Sequence, residues 1–464
     1  MKILWICNLI LPEFAEKMGL GTIPKEGWVK GLLDAMLALK HNGGVKDGQK
    51  PEMAFAFPVG MSVLEGTQGA MDKGFVAGKT ELKDYPGEIV EYYGFYEDTA
   101  HESVYDPELE KAMKGIFELA GPDIIHCFGT EFPHTLAAAK VWNRPGRILI
   151  GIQGPCTVYA ERYTSHLPEK IVNRRTFRDW LKKDSIREQK DKYTARGDNE
   201  RAAVRLAGHI AGRTAFDKSL AYEWNSSAEY HYAGETLRRD FYEGEWQRAK
   251  AEPYRLFVSQ ADYPLKGFHF LLTAVGGLLK DRDSNGVGDI QIYVAGQSIV
   301  DTDSLKKKIK ISSYGKYLRQ LIDAEGLSDR VHILGRLSAE QMKEQYLKCD
   351  TYVCCSECEN SPNSLGEAMI MRVPIVTAEV GGITSVFTVG QDGYSFRNEP
   401  GDSMQQVCEA LKNALLARWK DEKDDADEVD RRRQNASDHA HVNHNPEKNA
   451  RDMLGIYTAM MQQD

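Results

Sequence analysis

The sequence predicts an α/β protein built from two doubly wound, parallel-sheet domains. The chain has 464 residues, more than one ordinary domain holds. Short apolar runs of strand length alternate with helical stretches from the first residues onward. That alternation implies parallel sheets covered on both faces. It restarts near Tyr254, after a linker at 245–253.

The apolar start 1–11 carries one Lys and lacks a small-residue cleavage site. It therefore reads as a buried strand at 3–6 rather than a signal peptide or a membrane span. A loop containing Gly19, Gly21 and Glu26-Gly27-Trp28 leads to a helix over 29–39. Strands follow at 53–57, 89–95 and 122–128, the last opening into Gly129-Thr130-Glu131. Another at 147–152 ends at Gln153-Gly154-Pro155. The second series has strands at 255–259, 289–295, 331–334, 350–355 and 373–378, with a helix at 268–279. Gly296 and Gly335-Arg336 close two of these strands. The charged stretch 421–445 is expected as a long helix end or an exposed loop, and 449–461 as a closing helix. The predicted domains are 1–248, joined by 446–464, and 249–445.

A net charge of −9 and a pI near 5.8 argue against a nucleic-acid partner. Eight scattered cysteines do not form a disulfide framework, and Cys355-x-x-Cys358 has no second pair to complete a zinc site. With no apolar stretch of spanning length, the expected location is cytoplasmic. The segment 165–196 departs from the overall charge, with ten basic side chains against five acidic ones. Ile171, Phe177, Trp180 and Leu181 give it a partial apolar stripe. Such a segment either touches the inner face of the membrane peripherally or packs its stripe on its own domain.

The most chemistry lies in Glu359-Asn360-Ser361-Pro362-Asn363-Ser364-Leu365-Gly366-Glu367. A turn at Pro362 and a helix from Asn363 or Ser364 would set both carboxylates at the border of one pocket. Free N–H groups at the helix start would face that space and suit an anion. Carboxylates for hydroxyls and amides for phosphates are the chemistry of holding a nucleotide sugar. Two carboxylates that merely oppose a helix dipole would show the same spacing.

Glu359 and Glu367 at this spacing, Lys266-Gly267 after a strand, and Pro374 with Gly381-Gly382 together resemble family 4 of the retaining glycosyltransferases. Those are two-domain enzymes of the GT-B architecture. Gly27-Trp28, Pro122-Asp123, His126, the run 331–335 and Asp392-Gly393 extend the resemblance over most of the chain. It implies two Rossmann-like domains facing across a cleft, the first on the acceptor side and the second on the donor side, closing over the donor. It implies a UDP- or GDP-sugar donor and a glycan or lipid-linked acceptor, as in polysaccharide or glycolipid synthesis. Transfer would retain the anomeric configuration, with the leaving diphosphate taking the acceptor's proton. No cofactor and no metal are expected.

The resemblance also assigns roles. Glu367 would bind the ribose hydroxyls and Glu359 the donor sugar near its reacting carbon. Lys266 would neutralise the diphosphate, helped by the amides of Asn363, Ser364 and Leu365. Leu334 and Gly335 would hold the base through their backbone, and Gly27 would let its loop approach the phosphates. Glu131, a polar group just past a strand end, is the candidate for the acceptor hydroxyl. With Glu359 and Lys266 it makes up the expected catalytic set.

The chain departs from the family pattern at several positions. Gln260 stands where the family has an Arg, and Arg336 is a conceivable substitute. Ser361-Pro362 replaces Phe-Gly, and Pro362 offers no N–H. Phe128 stands where many relatives have His, while His126 reads as a satisfied core residue. For Arg213, Thr214, Asp217, His231, Glu235 and Arg238 the resemblance implies interdomain structure, while the residues themselves read as a salt-bridged helix surface, which is the preferred reading. Competing functions are a nucleotide-sugar epimerase or hydrolase of the same architecture and a degenerate, non-catalytic binding protein. The first lacks an identifiable acid/base pair; the second rests on Gln260 and Pro362. A nicotinamide enzyme has no G-x-G-x-x-G after any strand to support it.

Overall fold

A computed structural model describes residues 1–20, 27–45, 50–301, 304 and 309–462. In chain order the strands are β1 (Lys2–Cys7), β2 (Glu52–Val59), β3 (Phe75–Glu81), β4 (Ile89–Tyr96), β5 (Ile124–Phe128), β6 (Ile148–Gly151), β7 (His209–Gly212) and β8 (Glu229–Tyr232). A second set comprises β9 (Arg255–Val258), β10 (Gln291–Val294), β11 (Val331–Ile333), β12 (Thr351–Cys354), β13 (Ile375–Glu379) and β14 (Tyr394–Arg397).

The first sheet has the order β3-β4-β2-β1-β5-β6-β7-β8 and the second β11-β10-β9-β12-β13-β14. All neighbours are parallel except β3, which runs antiparallel to β4 at the edge. In each sheet the winding reverses beside the first strand, between β1 and β5 and between β9 and β12. Ligands in such sheets bind beyond the carboxyl ends of the strands at that reversal.

β1 shows why the sequence folds this way. Ile3, Trp5 and Cys7 enter one core cluster, Leu4 and Ile6 the other. Alternate residues point to opposite faces, and both faces are covered, so the strand is apolar throughout rather than alternating.

Strands β3, β7, β8 and β14 were not expected from the sequence. β3, β8 and β14 are edge strands, and an edge position lets polar residues such as Lys79, Glu229 and Arg397 occur in a strand. β7 is only four residues long, with His209 and Gly212 at its ends.

The stretch expected as a helix end or exposed loop at 421–445 contains a packed helix, Ala426–Asn443. Its inner side consists of Val429, Arg433, Ala436, Ser437 and Ala440. These positions recur at helical spacing, but apart from Val429 the residues are small or charged, which hid the stripe from a reading of hydrophobicity. Ser437 Oγ donates to the Ile370 carbonyl at 3.3 Å and Arg433 Nε to the Arg372 carbonyl at 2.6 Å. The helix thus backs the segment that follows Glu367.

The chain separates into two compact units: Met1–Thr157 with Lys192–Leu237 and His444–Asp464, and Val158–Asp191 with Arg238–Asn443. Residues 158–191 group with the second unit, whereas the sequence division placed them in the first. Polar contacts from Arg162, His166 and Asp179 hold them there, and a linear reading has no means of finding such contacts. No described helix is long and apolar enough to cross a membrane.

Candidate active site

Two loops meet at the β9/β12 reversal in the second unit. The first leaves β9, makes a short turn over Pro264–Lys266, and enters the helix Phe268–Lys280 through Gly267 at φ +63°. A Cβ on Gly267 would lie 1.8 Å from the Cys355 carbonyl oxygen. Only glycine allows this approach. The Glu357 N–H donates to the Leu265 carbonyl at 2.7 Å and joins the loops at a second point.

Their charged side chains then pair. Lys266 Nζ lies 2.6 Å from Glu359 Oε1, which also accepts from Ser356 Oγ at 2.7 Å. Burial pulls the Lys266 ammonium down, but Glu359 beside it more than offsets this and holds its pKa well above the usual range. Lys266 is therefore a fixed cation at neutral pH. A cavity of about 390 Å³ adjoins the loop, with Asp262, Tyr263 and Ser298 in its wall. Asp262 Oδ1 and Ser298 Oγ are buried there with no hydrogen-bond partner among the described residues.

The helix Asn363–Ile370 begins after Pro362 with no side-chain cap. The Leu365 amide, expected to face a ligand, instead donates to the Pro362 carbonyl at 2.9 Å. Its side chain is core. The amides of Asn363 and Ser364 remain for an anion. Asn363 Oδ1 is buried with no partner among the described residues.

One turn on, Glu367 is almost completely buried. Arg238 donates to its Oε1 through Nη2 at 2.7 Å and Nε at 3.1 Å, and the Tyr346 hydroxyl reaches Oε2 at 3.2 Å. Arg238 precedes the turn Arg239–Tyr242 and is not on a helix surface. Its role was invisible because the two partners are 129 positions apart.

At the end of β11, the Leu334 N–H donates to Val294 and the Gly335 carbonyl accepts from Gly296, both at 2.8 Å. Among the described residues this leaves the Leu334 carbonyl and the Gly335 N–H without a backbone partner. Arg336 is exposed just beyond β11, which lies two strands from β9. Gln260 is half-buried just past β9.

The loop carrying Glu359 is also gripped from 158–191. Arg162 Nε donates to the Glu357 carbonyl at 3.2 Å, and its Nη2 to the Asn398 carbonyl at 3.2 Å. His166 Nδ1 lies 2.8 Å from the Glu357 carboxylate and its Nε2 3.0 Å from the Asp402 carbonyl. Cys355 and Cys358 are free and buried, and burial pushes the Cys358 thiol up to about 12. Such a thiol is inert.

In the first unit, Gly27 opens the helix Gly27–His41; residues 21–26 before it lie outside the described residues. Glu131 lies beyond β5 at the β1/β5 reversal. Its Oε1 accepts from the Gly154 N–H at 3.0 Å, while Oε2 is buried with no partner among the described residues. Burial raises its pKa, against the opposing charge of Arg196. Gly129, at φ +99°, makes room: a Cβ there would meet Glu131 Oε2 at 2.2 Å and Asn8 Nδ2 at 3.3 Å. Asn8, just past β1, also has a buried Oδ1 with no partner among the described residues. The Glu131 carboxylate and the Asn8 side-chain amide therefore both border Gly129 at this reversal. Asn8 was missed, although it is the first polar side chain after β1.

Glu200 was missed as well, because it sits in the charge-rich helix Ile186–Leu206. It is fully buried and accepts from Thr130 Oγ1 at 2.5 Å, the Thr157 N–H at 3.0 Å and Thr157 Oγ1 at 3.0 Å. Burial raises its pKa from 4.5 to about 7. The folded state then holds the proton more tightly than the unfolded one, so stability falls as pH rises through that window. Glu200→Gln is expected to flatten the denaturation midpoint between pH 4.5 and 7, removing a slope worth up to about 3 kcal/mol. Parallel profiles for variant and wild type would contradict this.

His126 is a core residue. Its Nδ1 lies 2.7 Å from the Tyr457 hydroxyl, and burial lowers its pKa to about 3. His231 lies on β8, not on a helix, with Nε2 2.9 Å from His209 Nδ1. Burial lowers the pKa of both rings. Arg213 pairs with Glu235 at 3.2 Å, and Asp217 caps the helix Ala215–Trp224 jointly with Thr214.

Residues 239–428 match the family model described as glycosyl transferases group 1. No curated protein matches the chain. Among solved structures, sucrose-phosphate synthase from Thermosynechococcus elongatus is 13% identical with a TM-score of 0.66, over 100% of both chains. HepE from Anabaena in complex with UDP and glucose is 13% identical with a TM-score of 0.58, over 99% of this chain and 100% of that one. The catalytic domain of starch synthase IV from Arabidopsis thaliana, bound to ADP and acarbose, is 12% identical with a TM-score of 0.55, over 100% of both.

Proposed function

We propose that this glycosyltransferase of the GT-B fold is a retaining enzyme of family 4. It moves a sugar from a nucleoside diphosphate to a glycan or lipid-linked acceptor in polysaccharide or glycolipid synthesis. The observation that carries this is the Lys266–Glu359 pair at the β9/β12 reversal, next to an uncapped helix start. An incoming diphosphate would draw Lys266 from Glu359. That exchange frees Glu359 Oε1 for a hydroxyl of the donor sugar. The Asn363 and Ser364 amides add donors for the phosphates. Glu367, oriented by Arg238 and Tyr346, takes the ribose hydroxyls, and the backbone of Leu334 and Gly335 takes the base.

The leaving diphosphate accepts the acceptor's proton, so the protein need not supply a nucleophile. Lys266 and the amides carry out the charge neutralisation that would otherwise need a metal, and no cofactor is involved. In the first unit Glu131 and Asn8 hold the acceptor hydroxyl. The enzyme works in the cytoplasm, with peripheral contact at the inner face of the membrane through 165–196. HepE's UDP and glucose and the starch synthase's ADP support a nucleoside-diphosphate donor.

The test is nucleoside diphosphate release from a panel of UDP-, GDP- and ADP-sugars, for the native protein and for Glu367→Ala. One donor is expected to be turned over, with kcat/KM falling about tenfold to a hundredfold in the variant, the value of charge-assisted hydrogen bonds. Release of free sugar at the same rate, whatever acceptor is added, would mean a hydrolase. If no donor binds, the protein is a non-catalytic binder.

A further inference from the structure

Within 158–191, the helix Phe177–Lys182 is held from beneath by polar bonds and is apolar on its outer side. Thr176 caps it: its Oγ1 accepts from the Asp179 N–H at 3.2 Å, and the Asp179 carboxylate accepts from the Thr176 N–H at 3.0 Å. Asp179 is fully buried and also accepts from the Ser313 N–H at 2.9 Å. Thr176 Oγ1 donates to the Ile311 carbonyl at 2.9 Å, and Arg178 pairs with Asp184 at 2.7 Å. The helix is therefore fixed in orientation.

Its outer side consists of Phe177, Trp180 and Leu181, which are 60%, 59% and 66% exposed. Positions i, i+3 and i+4 share one face of a helix, and the Phe177 and Trp180 rings lie 5.9 Å apart. Of the stripe read from the sequence only Ile171 packs inward. Large side chains clustered on the surface in this way mark an interaction site. Lys182 and Lys183 at the end of this helix and Lys170 earlier in the segment are exposed, and among the described residues no carboxylate pairs with any of the three. The segment 165–196 carries ten basic side chains against five acidic ones in an otherwise acidic protein.

We propose that this face docks on an anionic bilayer. Phe177, Trp180 and Leu181 enter the headgroup region, and Lys170, Lys182 and Lys183 bind lipid phosphates. A Trp is favoured at that depth because its ring is apolar with one polar edge. Apolar insertion and basic attraction are each weak alone, and stable docking takes both. A protein partner would need a groove or an extended apolar patch; this face is one helical turn with cations at its rim, which matches the charge of a lipid surface. The purpose of the docking rests on the proposed lipid-linked acceptor, but the docking itself does not.

The full chain is mixed with vesicles of phosphatidylcholine alone or with added phosphatidylglycerol, then sedimented. Binding is expected only to the anionic vesicles. It should weaken with salt and shift Trp emission to the blue, Trp180 being well exposed. Phe177→Ser with Trp180→Ser, and separately Lys182→Glu with Lys183→Glu, should each lower the partition about tenfold or more. Their surface positions leave folding intact, which the unfolding midpoint checks. Diphosphate release in solution should be unchanged in both variants, so a failure of docking is distinguishable from a failure of the donor reading. No sedimentation with anionic vesicles, or the same sedimentation in the variants, overturns the proposal. A dimer that disappears in Phe177→Ser with Trp180→Ser would assign the face to a second copy of the chain.

Discussion

Lys266→Ala is expected to lower kcat for the donor by about a hundredfold to a thousandfold. That is the usual loss when one fixed group stabilising transition-state charge is removed. The variant also leaves the Glu359 carboxylate buried without its cation, which should cost up to about 3 kcal/mol of stability. The two effects can be separated. Adding Glu359→Gln to Lys266→Ala removes the unpaired charge, so the denaturation midpoint should largely recover. Turnover should not recover, because the cation is still missing. Activity tracking stability across the three variants would mean that the pair only holds the loops together. An unchanged kcat in Lys266→Ala would rule out the role assigned to this lysine.

Gly267→Ala is expected to have the largest effect on the fold for the smallest change in the side chain. A left-handed φ of +63° costs a non-glycine residue about 1 kcal/mol. The methyl would also meet the Cys355 carbonyl oxygen at 1.8 Å, and that group belongs to the backbone leaving β12. Either the β9 loop or the β12 loop must move, which brings the total to roughly 3 kcal/mol or more. The movement would separate Lys266 from Glu359, so turnover should fall with stability. Gly326→Ala is the control. It has φ +69° with nothing within 4 Å of a Cβ, and it should lose only the conformational cost of about 1 kcal/mol. Equal losses in the two variants would show that the close approach at Gly267 relaxes without consequence.

The two variants test different parts of one site, and those parts were unequally readable. Spacing suggested that Glu359 and Glu367 flank a helix start, and the helix indeed begins at Asn363. The Leu365 amide was misplaced because ordinary turn geometry ties it to Pro362. Lys266 and Gly267 were noticed by resemblance, but the need for glycine at 267 depends on Cys355, in another loop. Arg238 was taken for surface and instead holds Glu367. Glu200 sits among many charges on a polar helix, and only its burial distinguishes it. Edge strands such as β3 and β14 went unseen because an edge tolerates the polar residues that a central strand excludes.

The sequence by itself determined the alternation of strands and helices, the central strands β1, β9 and β12, and the spacing of Glu359 and Glu367. These follow from local periodicity and from what a continuous backbone can do over a few residues. Only the tertiary structure decided the strand order, the pairing of Lys266 with Glu359 across 93 positions, and the grouping of 158–191 with the second unit. It also decided that Phe177, Trp180 and Leu181 face outward. Each of these depends on which distant segments share the same space, and on the burial that results; periodicity along the chain carries no information about either.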